Sequence, residues 1–361
     1  MNSAKAPSVY IIAEAGVNHN GEKDLALALI DVAAAAGADA VKFQTFNASL
    51  LATARAPKAD YQTRTTCADE SQLAMLKKLE LPRSWHLELQ AYARVKGIEF
   101  LSTAFDVPSL EFLGSMDLPF FKVPSGELTN GPLLWQFART GKPLVLSTGM
   151  ATLGEVEQAL AVVAHGLAFE EEPASMDEVW NNWSLAASRE RLQGHVTLLH
   201  CTSEYPTPPT EVNLKAMDTL RAFNLPVGYS DHTEGCLIPV AAVARGAVMI
   251  EKHFTLDRAM EGPDHKASLE PGELAQMVEQ IRALQVVLGD GVKVPQVNEL
   301  KVRKVARQQV VASRDIAKGA ILTREDLTTA RSGSGLPATD LWALVGTISQ
   351  RAFSAGELLE R

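Results

Sequence analysis

A chain of 361 residues exceeds one small core and fits either two unequal domains or one large barrel with an appendage. A hydrophobic fraction of 46% and a charged fraction of 21% exclude a disordered or fibrous chain, and no apolar run reaches the roughly 18 residues of a membrane-spanning helix. With 43 acidic against 34 basic residues the net charge is -9, which disfavours nucleic acid as a partner and makes any anion site a local feature.

Met1 to Val9 lacks a basic and then apolar leader, and Cys67, Cys201 and Cys236 are odd in number and widely spaced. Both features point to a reducing, cytoplasmic setting, with each cysteine read as a small buried residue.

Eight short β-rich runs follow in order: Val9 to Ala13, Ala40 to Phe43, Ile98 to Leu101, Phe120 to Val123, Pro143 to Leu146, Val196 to Leu199, Pro226 to Tyr229 and Ala247 to Ile250. Helical segments separate them. Asp24 to Ala36 is rich in Ala and Leu and stops at Gly37, and Val240 to Ala244 precedes Gly246. Eight strand-helix units close a parallel barrel, so the expected fold is α/β, a (β/α)8 TIM barrel.

Two connections are long. Ala48 to Gly97 is read as a polar loop around Tyr61 followed by helices over Glu70 to Glu80 and Ser84 to Lys96, placed to cover the active face. Glu170 to Gly194, with Trp180 and Trp183, precedes a strand and belongs at the opposite end as a surface helix. The pattern changes after Leu288. Residues 289–309 read as a linker with a basic stretch, and residues 310–361 as a small, mostly β domain whose own core is marginal.

Each apolar run is followed by a polar residue, as a barrel active face requires. His232 and His253 sit on strands seven and eight, where two imidazoles can share one metal ion and leave positions open for water and substrate. General affinity order favours zinc, so these ligands alone do not identify the ion. Glu14, on the neighbouring strand one, could bind the ion, orient water or act as a base. Lys42, Thr103, Lys122, Ser125 and Ser147 lie on strands two to five as a site for phosphate or carboxylate. Unpaired, the two ammonium groups would repel one another, so a bound anion is their expected partner. Tyr205, in a proline-limited loop, and Asp264, in a tight turn after His253, could also face a ligand. These residues describe a metal-assisted enzyme for a small anionic substrate and leave the reaction open.

Ile12-Ala-Glu-Ala-Gly-Val-Asn-His-Asn-Gly21, Val41-Lys-Phe-Gln-Thr45, Lys122-Val-Pro-Ser-Gly-Glu127, Leu146-Ser-Thr-Gly-Met150, Gly228-Tyr-Ser-Asp-His-Thr233 and Glu251-Lys-His-Phe-Thr255 together resemble the sialic acid synthase family. The tail, Ala312 to Gly319 and Arg331 to Gly335, is similar to the antifreeze-like (SAF, β-clip) domain that closes those enzymes.

The resemblance implies condensation of phosphoenolpyruvate with N-acetylmannosamine and water to N-acetylneuraminate and phosphate, by C–O cleavage. It implies manganese or magnesium on His232 and His253. Lys42, Thr103, Lys122, Ser125, Ser147 and Ser230 then hold phosphoenolpyruvate; Gln44, Tyr205 and Asp264 contact the sugar; and Glu14 and Glu127 lie near the reacting groups. It further implies a domain-swapped homodimer in which Arg331 reaches the N-acetyl group across the interface.

Three departures stand out. Ala104 replaces a usual proline, Ser203 an asparagine of some members, which could alter how phosphoenolpyruvate is held, and Ser332 a proline, which could loosen the loop carrying Arg331. Lys58 to Gln62 and Asp69 to Leu81 look more like the sialic and legionaminic branches than the pseudaminic one. The alternative acceptor is therefore a 2,4-diacetamido-trideoxymannose, giving N,N'-diacetyllegionaminate. A class II aldolase and an idle sugar- or ice-binding protein are the more distant readings.

Overall fold

The structure, a computed structural model, describes residues 8–66 and 70–360, without the side chain of Arg64. Cys67, Asp69 and the N-terminal stretch read for a leader lie outside the described residues, apart from Ser8 and Val9. The described chain divides into two compact units at Gly289/Asp290.

In the first unit eight strands pair in parallel in the order β3-β2-β1-β8-β7-β6-β5-β4. They are β1 Tyr10–Gly16, β2 Ala40–Thr45, β3 Glu99–Ala104, β4 Phe121–Val123, β5 Leu144–Ser147, β6 Val196–Cys201, β7 Val227–Asp231 and β8 Met249–His253. With helices between successive strands and β3 beside β4 at the seam, this is the expected barrel, nearly closed. Several strands run beyond their apolar runs, so Glu14, Gln44, Thr103, Ser230, Glu251 and His253 lie within the sheet rather than past it.

Alternation explains why polar residues extend the strands. Side chains two apart share a face, and the inward row changes character one step up the barrel. Ile12 gives way to Glu14, Ala40 to Lys42, Leu101 to Thr103, Val145 to Ser147 and Met249 to Glu251. The lower residues of these pairs form a buried apolar plug with Leu199. The outward rows, including Ile11, Ala13, Val41, Phe43 and Ile250, join the helices in the main core.

Helix α1, Lys23–Ala35, buries Ala26, Leu29, Ile30 and Ala33 and ends before Gly37, whose φ of +78° suits a residue without a Cβ. The long connection after β2 is more helical than expected. It contains α2 Ala48–Leu51, α3 Asp60–Thr65 where a polar loop was read around Tyr61, α4 Gln72–Leu79 and α5 Arg83–Lys96. Ser71 caps α4 by accepting from the Ala74 N–H. The segment with Trp180 and Trp183 forms a helix, Met176–Trp183, that packs on the helix Leu153–Ala168; Trp183 is buried and donates to Glu157 at 2.9 Å. No helix among the described residues is long and apolar enough to cross a membrane.

In the second unit β9, Gln308–Ala312, pairs antiparallel with β10, Leu327–Arg331, around a core that includes Val310, Ile316, Leu322, Leu327, Leu341 and Phe353. Much of the stretch read as linker is helical, over Glu299–Ala306.

Candidate active site

Every expected site side chain except Arg331 lines one cavity of about 460 Å³ at the C-terminal mouth of the barrel. That volume lies within the usual range for a small-molecule site. Arg331 ends β10 in the second unit and is exposed there.

The deepest polar layer is ionic. Lys42 Nζ lies 2.5 Å from Glu14 Oε2, donates to Thr103 Oγ1 at 3.0 Å and sits 3.5 Å from Glu251 Oε2. Lys122 Nζ is 3.2 Å from Glu251 Oε1, which also accepts from Ser230 Oγ at 2.8 Å. All four charged side chains are buried. The expectation of two unpaired lysines is thus corrected, because each ammonium group already faces a carboxylate.

Glu251 is the residue that sequence reading passed over. It was noted only as a polar strand tip, yet its place two before His253 on β8 puts it on the same inward row. Lys252, between them, points the other way and pairs with Asp231 at 2.6 Å, both fully buried behind the sheet.

The carboxyl groups of this layer are driven apart. Burial would raise Glu251, but the ammonium groups of Lys122 and Lys42 and the Ser230 hydroxyl outweigh it and hold the group well below the ordinary carboxylate range. Burial pushes Glu14 up to about 7 against the pull of Lys42, and the Glu251 charge pushes the same way. Glu14 is therefore poised near neutrality while Glu251 stays charged.

Around this layer the hydroxyls converge. Ser125, just past β4, accepts from the Gly149 N–H at 3.0 Å. A Cβ at Gly149 would lie 2.4 Å from Ser203 Oγ and 2.7 Å from Ser125 Oγ, so this glycine lets the two serines approach the backbone. Ser147 Oγ is buried and has no hydrogen-bond partner among the described residues, a free donor aimed into the cavity. Glu127 also lines the cavity and accepts from Asn130 at 2.7 Å.

Above lie the two imidazoles, ring centres 5.3 Å apart. His232 Nδ1 is 2.6 Å from the Thr202 carbonyl, which can only accept, so Nδ1 carries a proton and Nε2 is the nitrogen left to face the cavity. His253 Nδ1 has no hydrogen-bond partner among the described residues and stands 3.6 Å from Asp264 Oδ2. Burial and the neighbouring His232 hold His253 well below its usual range, hence neutral. Burial pushes Asp264 up to about 6. Burial lowers His232, but the neighbouring Cys201 and the Thr202 carbonyl outweigh it and hold the ring above its usual range, so a divalent ion shared with the neutral His253 would displace a proton from His232. Among the described residues no group of three His, Cys, Asp or Glu side chains is placed to hold one unaided, so water and substrate oxygens would complete its shell.

Tyr205 stacks over His232 with ring centres 4.0 Å apart and meets Tyr61 of α3 at 5.0 Å, which ties the long connection to the site. Gln44 Nε2 reaches Glu14 Oε1 at 3.3 Å. Cys201, expected only as core packing, is buried but lines the cavity 3.7 Å from His232 Nδ1. Ser332, expected to loosen its loop, instead ties it down: its N–H and hydroxyl both reach Gln309 Oε1, at 3.1 and 2.9 Å.

Residues 29–293 match the NeuB family and residues 307–360 match a SAF domain. The chain is 48% identical to the N,N'-diacetyllegionaminic acid synthase of Campylobacter jejuni over 97% of its own length and 98% of that protein's. It is 44% identical to the synthase of the same name from Legionella pneumophila, covering 97% and 93% of the two chains. Among solved structures, the N-acetylneuraminic acid synthetase of Leptospira borgpetersenii superposes with a TM-score of 0.66 at 34% identity, over 83% of this chain and 91% of that one.

Proposed function

The chain belongs to the NeuB family and is a phosphoenolpyruvate-dependent nonulosonic acid synthase, and from that premise we propose that it condenses phosphoenolpyruvate with 2,4-diacetamido-2,4,6-trideoxymannose and water. The products are N,N'-diacetyllegionaminate and phosphate. The carrying observation is the greater similarity to the two diacetyllegionaminic acid synthases than to the sialic acid synthetase. It favours the alternative acceptor over the N-acetylmannosamine expected first.

The site's chemistry supports the reaction. Lys42 and Lys122 hold the carboxylate and phosphate of phosphoenolpyruvate, with Thr103, Ser125 and Ser147 donating to its oxygens, and Ser203 and Ser230 beside them, the Ser230 proton being given to Glu251. Carbon 3 of the enol attacks the aldehyde carbon of the open-chain sugar. Protonated Glu14 gives its proton to the aldehyde oxygen as the C–C bond forms. Ionised, it then takes a proton from the water that adds to carbon 2. The carbon 2 hydroxyl passes its proton to the leaving phosphate, which departs with the bridging oxygen to leave the 2-keto acid. A carboxyl near neutrality is suited to both transfers.

His232 and His253 would hold manganese or magnesium, which when bound supplies Lewis acidity at the aldehyde oxygen. Gln44, Tyr205 and Asp264 orient the sugar, and Glu127 stands at the rim. The same reading takes Arg331 to the N-acetyl group of a sugar held by a second copy, in a domain-swapped homodimer. Phosphate release with manganese present, compared between the diacetamido sugar and N-acetylmannosamine, tests the acceptor. Preference for the first supports the proposal, and preference for the second returns the reading to N-acetylneuraminate.

A further inference from the structure

The inward rows of β2 and β3 continue past the ionic layer and change character again. On β2, Ala40, Lys42 and Gln44 are followed two residues on by Phe46; on β3, Leu101 and Thr103 are followed by Phe105. Phe46 and Phe105 meet edge to face at 5.9 Å. Against them pack Leu51 of α2 and Met75 and Leu76 of α4, an apolar cluster separate from the main core. All five residues line the same cavity as Lys42 and His253. From floor to rim the site therefore reads apolar plug, ion pairs, imidazoles and amide, then an apolar shelf.

Among the described residues, charge is absent from the upper wall. The charged side chains of the cavity come from the barrel strands and the loops that follow them, while α2, α3 and α4 contribute only uncharged polar groups, Tyr61, Gln62 and Gln72, beside the apolar ones. The two lysines are committed to the ionic layer. A sugar held by its aldehyde end near His232 and His253 must turn its far carbons towards this shelf. A methyl group there gains apolar contact, whereas a hydroxyl loses water without an apolar gain and a phosphate meets no cation among the described residues.

We propose that the shelf of Leu51, Met75 and Leu76 against Phe46 and Phe105 determines specificity at carbon 6 of the acceptor, selecting a methyl group over a hydroxymethyl or phosphorylated end. This deepens the acceptor reading above and rests on it for the orientation of the sugar. No shelf residue enters the ionic layer, so the selection acts on the sugar and leaves phosphoenolpyruvate binding alone.

The test uses N-acetylmannosamine and 6-deoxy-N-acetylmannosamine, which differ by one oxygen. Phosphate release by the full-length protein is followed at saturating phosphoenolpyruvate. The wild type is expected to favour the deoxy sugar in kcat/KM by roughly 10- to 100-fold. Leu76→Gln and, independently, the half-buried Leu51→Gln contract that ratio towards unity through the KM of the deoxy sugar, with the KM for phosphoenolpyruvate unmoved; Leu76→Met retains the ratio. A wild type indifferent to the oxygen overturns the proposal even if a variant fails to fold, as do folded Gln variants that keep the full preference. The comparison with the 2,4-diacetamido sugar is separate. Should N-acetylmannosamine prove the better acceptor of those two, the legionaminate reading falls while the carbon 6 pair still decides the shelf.

Discussion

Glu251→Gln removes one charge from the buried ionic layer and keeps the side chain's volume. Its carboxylate stands 3.2 Å from Lys122 Nζ and 3.5 Å from Lys42 Nζ. At an effective dielectric of about 20, each separation corresponds to ~5 kcal/mol of attraction before desolvation is charged against it. Lys42 keeps Glu14 as a partner at 2.5 Å, but Lys122 is left as a buried ammonium with no carboxylate beside it. Breaking one buried pair in this way costs about 3–5 kcal/mol. At about 2–4 °C per kcal/mol for large domains, the unfolding midpoint of the barrel drops by roughly 6–20 °C. Phosphoenolpyruvate replaces the missing negative charge, so the rise in midpoint that it produces is larger in the variant than in the wild type. Scanning calorimetry with and without phosphoenolpyruvate, and with no acceptor, reads both effects. An unchanged midpoint, or a smaller ligand-induced rise, refutes the pairing argument.

Three further outcomes follow from the geometry. Gly16, with φ +54°, would carry a Cβ 3.3 Å from His253 Cε1 and 3.4 Å from both Asp264 Oδ2 and Gln44 Nε2. Gly16→Ala therefore crowds the acceptor side of the mouth besides about 1–2 kcal/mol of backbone strain; steady-state kinetics should show a raised KM for the sugar and a nearly constant one for phosphoenolpyruvate. The Glu14 carboxyl, raised to about 7, is neutral below that pH and charged above it, so the empty site is one charge more positive on the acid side. Phosphoenolpyruvate affinity should fall as pH rises from about 7 to 9, above the second phosphate pKa of ~6. Titration calorimetry should find that fall abolished in Glu14→Gln, and a wild-type pH profile in that variant counts against Glu14. In His232→Ala, manganese binding followed by electron paramagnetic resonance should be lost while circular dichroism is preserved; undiminished manganese binding removes His232 from the metal site.

Much of the barrel was legible because apolar runs and helix stops mark it directly, and most residues that line the cavity were legible because they fall at or near the ends of those runs. The same criterion cut strands short. Glu14 and Glu251 are polar, yet they continue the β ladder, since the interior of a barrel mouth is where charge is wanted. Glu251 could have been found by carrying the two-residue alternation back from His253. That Glu251 pairs with both Lys42 and Lys122 depends on strands distant in sequence, and no local pattern shows it. The long connection carrying α4 was placed over the active face, but which of its side chains border the cavity, Met75 and Leu76 among them, only the fold shows. The acceptor was the least legible feature, because in the proposed reaction the motifs around Lys42, Lys122, His232 and His253 serve phosphoenolpyruvate and the reacting carbons, which do not differ between acceptors.

The proposed condensation consumes phosphoenolpyruvate by breaking its C–O bond. The direct measurement uses phosphoenolpyruvate carrying oxygen-18 at the bridging position, with 2,4-diacetamido-2,4,6-trideoxymannose as acceptor and mass analysis of both products. The label is expected in the released phosphate, beside an unlabelled nine-carbon acid of the mass of N,N'-diacetyllegionaminate. Label retained in the organic product, or formation of the same acid from free pyruvate, would contradict it.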